Sequence, residues 1–357
     1  MKDNRLALIV AGGTGGHIFP GLSVAESLMS DGWTIRWAGN PEAMEGRLVP
    51  QHGIALCPLV FSGFRGKGLV SQLLMPLKLL KAFWVSIRIL RAQKPSVVLG
   101  MGGYVAFPMG MMASLLNIPL VVHEQNSIAG LTNKVLAKLA DRVLVAFPGA
   151  LANATWVGNP VRQTMTVQLP PAERFKERSG ALRLLVVGGS LGAAALNEVV
   201  PKAMARLPEH KRPLIRHQSG QKNLDQLQLN YECAGVQADC VAFIEDMALE
   251  MAQADVLICR AGAMTVSEVA SVGVAALFVP FPFAVDDHQT TNAGFLVKVK
   301  GAWVKQQSEL NDQELSQWFE QLTRDLCLQY AINAHSMAKQ DAATVVAQTM
   351  KDVSGTS

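Results

Sequence analysis

Between the apolar run Leu6 to Val10 and a helical pattern, Gly12-Gly13-Thr14-Gly15-Gly16-His17 brings together four glycines, one hydroxyl and one imidazole. Glycines let the backbone come close to a bound group, and free amides at a helix start favour negative charge, so this loop suits a phosphate. An imidazole at its mouth suits proton transfer near neutrality, which makes His17 a candidate general base. The same residues would also serve a tight strand-to-helix turn that holds nothing, with His17 bonding locally. A G-x-G-x-x-G fingerprint starting at Gly13 needs glycine where Ile18 stands, and Trp37-Ala38-Gly39 occupies the place of a ribose-binding acid. Nicotinamide binding here is therefore disfavoured, and no G-x-x-x-x-G-K-[ST] run admits a P-loop.

Further polar clusters follow other apolar runs. In Cys259 to Gly273 a strand ends at the cysteine, and Thr265-x-x-Glu268 has the spacing of a capping box. Alongside that structural reading, a glycine turn and a helix N-terminus would hold phosphates while Glu268 accepts from a ribose diol. Downstream, Gln289 and Asn292 are placed to reach a sugar from the next helix. Asp286-Asp287 is not a D-x-D pair, so no nucleotide-bridging metal is indicated. Gly100 to Pro108, His123 to Lys134 and Val157 to Arg162 complete the set, each of which taken singly reads equally well as a turn.

The elements that must position these clusters alternate along the chain. Strands are expected at Leu6–Val10, Thr34–Ala38, Val97–Leu99, Leu120–His123 and Val143–Ala146, then Leu182–Val187, Leu214–His217, Val241–Phe243, Val256–Cys259 and Ala275–Val279. Continuous Val/Leu/Ile runs separated by helical patterns mean α/β with parallel strands buried on both faces. Residues 6–28 are echoed at 182–200: strand, Gly-Gly, a hydroxyl residue, one residue, Gly, then helix. The polar, Pro-containing segment 168–181 between them reads as a linker. Two doubly wound domains follow, with ligands expected outside the carboxyl ends of the strands and in a cleft where the two sets of loops meet.

Of the 357 residues, 50% are hydrophobic and 17% charged, which excludes disorder, and a net charge of +4 does not mark a nucleic-acid binder. Five cysteines without CxxC spacing argue against a disulfide framework or zinc site. The N-terminus reaches glycine too soon for a signal-peptide core, and the uncharged run Tyr104 to Val122, broken by two prolines, reads as a buried helix and strand. No Asp or Glu occurs from Gly46 to His123, and residues 64–94 carry seven Lys or Arg. There Leu80, Phe83, Ile87 and Leu90 are expected to face the core. A second stripe, Leu73, Leu74, Leu77, Lys81, Trp84 and Arg88, reads as docking on an anionic membrane surface, or else as a face buried by domain packing.

Taken together and in order, GGTGGHIFPGL, GMGGYVAFP, HEQNSIAGLTN, VGNPVR, GGSLGA and CRAGAMTVSE resemble the MurG family of bacterial UDP-N-acetylglucosamine transferases, glycosyltransferase family 28, over essentially residues 5–350. The resemblance implies a GT-B fold of two Rossmann-like parallel-sheet domains. An acceptor and membrane-binding domain would span 1–163, with a final helix at about 340–357 packing back on it, and a donor-binding domain 164–339. It implies an inverting hexosyltransferase that moves GlcNAc from UDP-GlcNAc to the C4 hydroxyl of the muramoyl sugar of lipid I. Lipid II for peptidoglycan forms in this way, at the cytoplasmic face of the inner membrane, with a peripheral enzyme and no cofactor. By the same resemblance Thr14, Gly15 and Gly16 lie near the donor and the acceptor diphosphate, and Asn126 and Arg162 near the donor. Ser190 faces the UDP phosphates, and the Ile244 backbone holds uracil. Ala263, Met264, Thr265, Val266 and Ser267 hold phosphates, Glu268 the ribose and Gln289 the GlcNAc, with Asn292, Gly103, Tyr104 and Glu124 as further contacts. His17 is the base. The family commonly has Gln after the second-loop serine; Leu191 here cannot make that contact.

An epimerase of the same fold would share the UDP site but would have no use for the basic apolar helix. An oxidoreductase lacks its fingerprint, and a non-catalytic binding module lacks an export signal.

Overall fold

The computed structural model describes residues 5–61, 74–189, 193–284 and 287–355. They divide into two compact units, one running to Arg162 and resuming at Lys339, the other Gln163–Ala338. Each is built on a wholly parallel sheet.

In the first unit β1 (Leu6–Val10), β2 (Thr34–Gly39), β3 (Ala55–Pro58), β4 (Val97–Gly100), β5 (Leu120–Glu124), β6 (Arg142–Val145) and β7 (Thr155–Trp156) lie in the order β3-β2-β1-β4-β5-β6-β7. β4 and β5 are buried from end to end and β1 from Ala7 onward, so their unbroken apolar runs are what two covered faces require. One face packs Ile18, Leu22 and Leu28 of the helix Gly15–Ser30 and Val346, Ala347 and Met350 of the helix Ala342–Ser354. The other carries Ala82 and Leu90 of the helix Met75–Gln93, Met109 of the helix Ala106–Leu115, and Leu136.

In the second unit β8 (Arg183–Val187), β9 (Leu214–Gln218), β10 (Asp239–Val241), β11 (Val256–Cys259), β12 (Ala275–Phe278) and β13 (Ala302–Val304) are ordered β10-β9-β8-β11-β12-β13. Its core joins Leu196, Val200 and Met204 of the helix Ala194–Arg206 to Leu227, Leu315 and Phe319. Beneath it Asp255, fully buried, accepts from Arg178 at 2.7 Å, from the Arg183 amide at 2.9 Å and from Arg324 at 3.3 Å.

In both sheets the order reverses beside the first strand, between β1 and β4 and between β8 and β11. Neighbouring crossovers leave in opposite directions there, opening a crevice outside the carboxyl ends of those strands.

Three strands went unexpected from the sequence: β3, β7 and β13, all at sheet edges. The strand expected at Val241–Phe243 lies at Asp239–Val241. The run Tyr104 to Val122 divides between the helix Ala106–Leu115 and β5, and among the described residues no helix is long and apolar enough to cross a membrane.

Candidate active site

At the first unit's crevice, β1 delivers Gly12, Gly13 and Thr14, β4 delivers Gly102, Gly103 and Tyr104, and β5 delivers Glu124, Gln125 and Asn126. Two of these loops touch through glycines. A Cβ on Gly103 would stand 2.3 Å from the Gly12 carbonyl oxygen, and one on Gly102 would stand 3.0 Å from the His17 ring. Both have positive φ, so glycine is required twice over. Tyr104 is partly exposed beside them.

The first loop has an anchor that sequence reasoning missed. Glu45, 1% exposed, accepts the Asn40 amide at 3.0 Å and the Gly13 amide at 3.3 Å. The Gly13 N–H is thus taken by a carboxylate, and an anion at this loop is left to Thr14 and the first turn of the helix Gly15–Ser30. That helix has no side-chain cap and no acidic residue in its first turn. Gly15, Gly16 and His17 form that turn and are half-buried.

His17 places Nδ1 2.9 Å from Oε1 of Gln125. Gln125, the residue just past β5, lies on the side of His123, with Glu124 between them bonded to another set of partners. The Gln125 amide nitrogen lies 3.1 Å from the His123 carbonyl and 3.2 Å from His123 Nδ1, while His123 Nε2 is 2.9 Å from the Gly158 carbonyl. Burial pushes the His123 imidazole down to about 4, so it is neutral near pH 7. Glu124, 1% exposed, accepts from the Asn126 amide at 2.9 Å, Asn133 Nδ2 at 2.9 Å and the Gly130 amide at 3.2 Å. These bonds fix the 126–130 loop and leave the Glu124 carboxylate as its anchor, with the half-buried Asn126 nearer the surface.

In the second unit β11 leads through Arg260, Ala261 and Gly262 into the helix Ala263–Val272. The capping box expected at Thr265-x-x-Glu268 is not formed. The helix starts two residues before Thr265, with Gly262 at the N-cap and no side-chain cap. Its N-terminus instead carries half-buried Met264, Thr265, Ser267 and Glu268, with Ala263 buried. The Val266 side chain is fully buried, and its N–H is accepted by the Gly262 carbonyl at 2.9 Å. Asn292 also differs from expectation. It is fully buried and donates to the Ala261 carbonyl at 3.3 Å, holding the turn rather than facing outward.

Gln289 is half-buried; its Oε1 accepts the Phe281 amide at 2.9 Å, which turns its amino group away as a donor. The Ile244 side chain is buried, and among the described residues its N–H has no acceptor, so the backbone is what it offers. Arg260, which the sequence reading passed over, donates to the Val279 carbonyl at 3.0 Å and to Gln307 at 2.6 Å, placing a cation beside the helix start. Arg162 is exposed at the end of the first unit, and Ser190 lies outside the described residues.

The second stripe is exposed at Leu74, just before the helix Met75–Gln93, and on it at Leu77 and Trp84, with Arg88 4.7 Å over the Trp84 ring. Leu73 lies outside the described residues. Leu80 belongs to this outer face as well, 63% exposed, contrary to its expected place in the core. The buried face is centred on Ala82 and Ser86, whose small side chains let the helix Ala106–Leu115 pack closely.

The N-terminal domain model of glycosyltransferase family 28 matches residues 7–145, and its C-terminal domain model matches 183–350. A Cupriavidus metallidurans protein named UDP-N-acetylglucosamine--N-acetylmuramyl-(pentapeptide) pyrophosphoryl-undecaprenol N-acetylglucosamine transferase is 58% identical over 353 residues, 99% of each chain. A Paracidovorax citrulli protein of the same name is 54% identical, again over 99% of each. The crystal structure of Acinetobacter baumannii MurG aligns with a TM-score of 0.87 at 39% identity, covering 97% of this chain and 99% of that one. A Neisseria meningitidis UDP-GlcNAc 2-epimerase, at 11% identity and a TM-score of 0.68, shares the fold alone. The chain belongs to glycosyltransferase family 28, with the two parallel-sheet domains of a GT-B fold.

Proposed function

We propose that this chain transfers GlcNAc from UDP-GlcNAc to the C4 hydroxyl of the muramoyl sugar of lipid I, giving lipid II. The observation that carries the reading is the 58% identity, over 99% of both chains, with a relative named for this transfer.

The donor is assigned to the second unit. The Ile244 amide reads the uracil edge, Glu268 accepts from the ribose, and the amino group of Gln289 donates to the sugar. The N-terminus of the helix Ala263–Val272, with Ser190 from the segment that follows β8 in the sequence, takes the diphosphate. Val266 and Asn292 support that turn from within. On the first unit Thr14, Gly15 and Gly16 receive the acceptor diphosphate, with Gly103, Tyr104, Asn126 and Arg162 as further contacts and Glu124 as the anchor of its loop.

His17 Nε2 takes the proton of the acceptor C4 hydroxyl. The oxygen bonds to the anomeric carbon as the bond to UDP breaks, and the electron pair leaves on the β-phosphate oxygen. Attack opposite the leaving group inverts the centre. Fixed amides and a helix N-terminus stabilise the departing charge at no cost of reorganisation during the step.

The helix Met75–Gln93 is assigned to the cytoplasmic face of the inner membrane. Its exposed Leu77, Leu80 and Trp84 enter the interface, and Lys78, Lys81 and Arg88 meet anionic head groups.

Incubating radiolabelled UDP-GlcNAc with a lipid I analogue and extracting the lipid phase tests the function. Label in the lipid phase, β-linked to muramic acid, is expected. Label recovered only as free sugar or its epimer sinks the reading.

A further inference from the structure

We propose that Gln125 is a positioning residue for the transfer: its side-chain carbonyl keeps the His17 proton on Nδ1 and so leaves Nε2 bare to receive the acceptor proton. This rests on the reading of His17 as the base.

The assignment follows from two backbone carbonyls, which can only accept. His123 Nε2 is 2.9 Å from the Gly158 carbonyl, so that nitrogen carries hydrogen. The ring is fully buried and neutral near pH 7, holding one proton, so its Nδ1 is a bare acceptor. Of the two ends of the Gln125 amide, one lies 3.1 Å from the His123 carbonyl and 3.2 Å from His123 Nδ1. Facing these two acceptors, and with Met101 Sδ a third at 3.9 Å, it must be the NH2 group. The carbonyl end is thereby turned to His17, 2.9 Å from Nδ1. A carbonyl oxygen cannot donate, so Nδ1 of His17 does.

The neighbourhood leaves this chain of bonds little freedom. Asn159 Nδ2 donates to the backbone carbonyl of Gln125 and Asn133 Nδ2 to the backbone carbonyl of His123, each at 3.1 Å. Gly102, lacking a Cβ, lets the His17 ring lie close against the loop after β4. Gln125 itself is 1% exposed, whereas His17 is half-buried, and no described residue bonds its Nε2. The polar chain thus runs from the interior of the sheet to one solvent-facing lone pair.

A carboxylate in the place of Gln125 would also hold Nδ1–H, but it would meet the His123 carbonyl without a proton to give. The amide can satisfy both sides. The opposite tautomer would present N–H to the acceptor hydroxyl, and a base in the wrong tautomer loses up to about 10⁴-fold in turnover.

Nitrogen-15 NMR of ring-labelled histidine in the full-length protein tests this, with the His17 signals identified by their loss in His17→Gln. In alkaline buffer the wild type is expected to show a protonated Nδ1 and a bare Nε2 at His17. Gln125→Met should erase that preference and lower kcat by about 10²-fold or more, with KM for UDP-GlcNAc within about twofold. A wild-type His17 protonated on Nε2 overturns the proposal, and that spectrum decides even where the Met variant does not fold. A folded Gln125→Met with wild-type kcat overturns it too. Full turnover in His17→Ala, beside the expected tautomer, would instead locate the failure in the base assignment.

Discussion

The carbonyl oxygen of Gly12 lies 2.3 Å from where a Cβ on Gly103 would stand, so the loops after β1 and β4 meet backbone to backbone. These are the two strands that flank the point of reversal in the first sheet, and His17 is reached through one loop while the other backs its ring.

Gly103→Ala must therefore move the loop. The residue has φ +78, which alone costs about 1–2 kcal/mol for an L side chain, and the overlap with Gly12 is with backbone that cannot rotate away. A fall in kcat of about 10²-fold is expected, since a displacement of about 1 Å in a catalytic loop has that effect. Gly13→Ala, with φ +91 and nothing within 4 Å of its Cβ, should bring only the conformational cost. Steady-state kinetics and thermal melts of the two variants separate these effects.

Asp255 is fully buried and paired with Arg178 at 2.7 Å. Asp255→Ala leaves that guanidinium with backbone carbonyls but no carboxylate, and should destabilise the second unit by about 3–5 kcal/mol. Urea unfolding followed by fluorescence reads the loss; a change below about 1 kcal/mol would mean that the cluster relaxes or fills with water.

Two buried histidines make the fold acid-sensitive. Desolvation lowers His123 from 6.5 to about 4 and His217 from 6.5 to about 3. The unfolded chain takes up a proton below 6.5 that the folded one refuses, so stability is lost as pH falls. The slope is about 1.4 kcal/mol per pH unit for each group, from 6.5 to its folded value. Denaturant midpoints between pH 7 and 4 measure it. His217→Gln should flatten the slope of the second unit while leaving that of the first.

Charge reversal at Lys78, Lys81 and Arg88 should weaken sedimentation with phosphatidylglycerol vesicles by about 1 kcal/mol for each cation removed, most strongly at low salt. Turnover on a short-chain soluble acceptor should stay at the wild-type level. Unchanged vesicle binding refutes the membrane assignment.

What the sequence disclosed, and what it concealed, follows from periodicity. β1 and β11 run over the expected residues because central parallel strands must be apolar throughout. The edges β3, β7 and β13 are short and partly exposed, so nothing in Ala55–Pro58, Thr155–Trp156 or Ala302–Val304 stands out as a run. Leu80 was misassigned because a helical stripe of large residues hides the fact that small ones, Ala82 and Ser86, centre the buried face. At Thr265-x-x-Glu268 the spacing matched a cap, yet the helix begins at Ala263, before that spacing applies. Within the site, glycine loops and His17 were legible as types. Gln125 and Glu45 were not, because their part lies in contacts with residues 108 and 32 positions away. For Gln125 the signal was its i+2 spacing from His123 at the end of β5, which fits the shared side that their contact shows.

Removal of the acceptor proton by the His17 imidazole is tested most directly by the kcat of His17→Ala with a lipid I analogue. A fall of about 10²–10⁴-fold, with the Kd for UDP-GlcNAc unchanged, is the predicted result. Turnover near that of the wild type would contradict it.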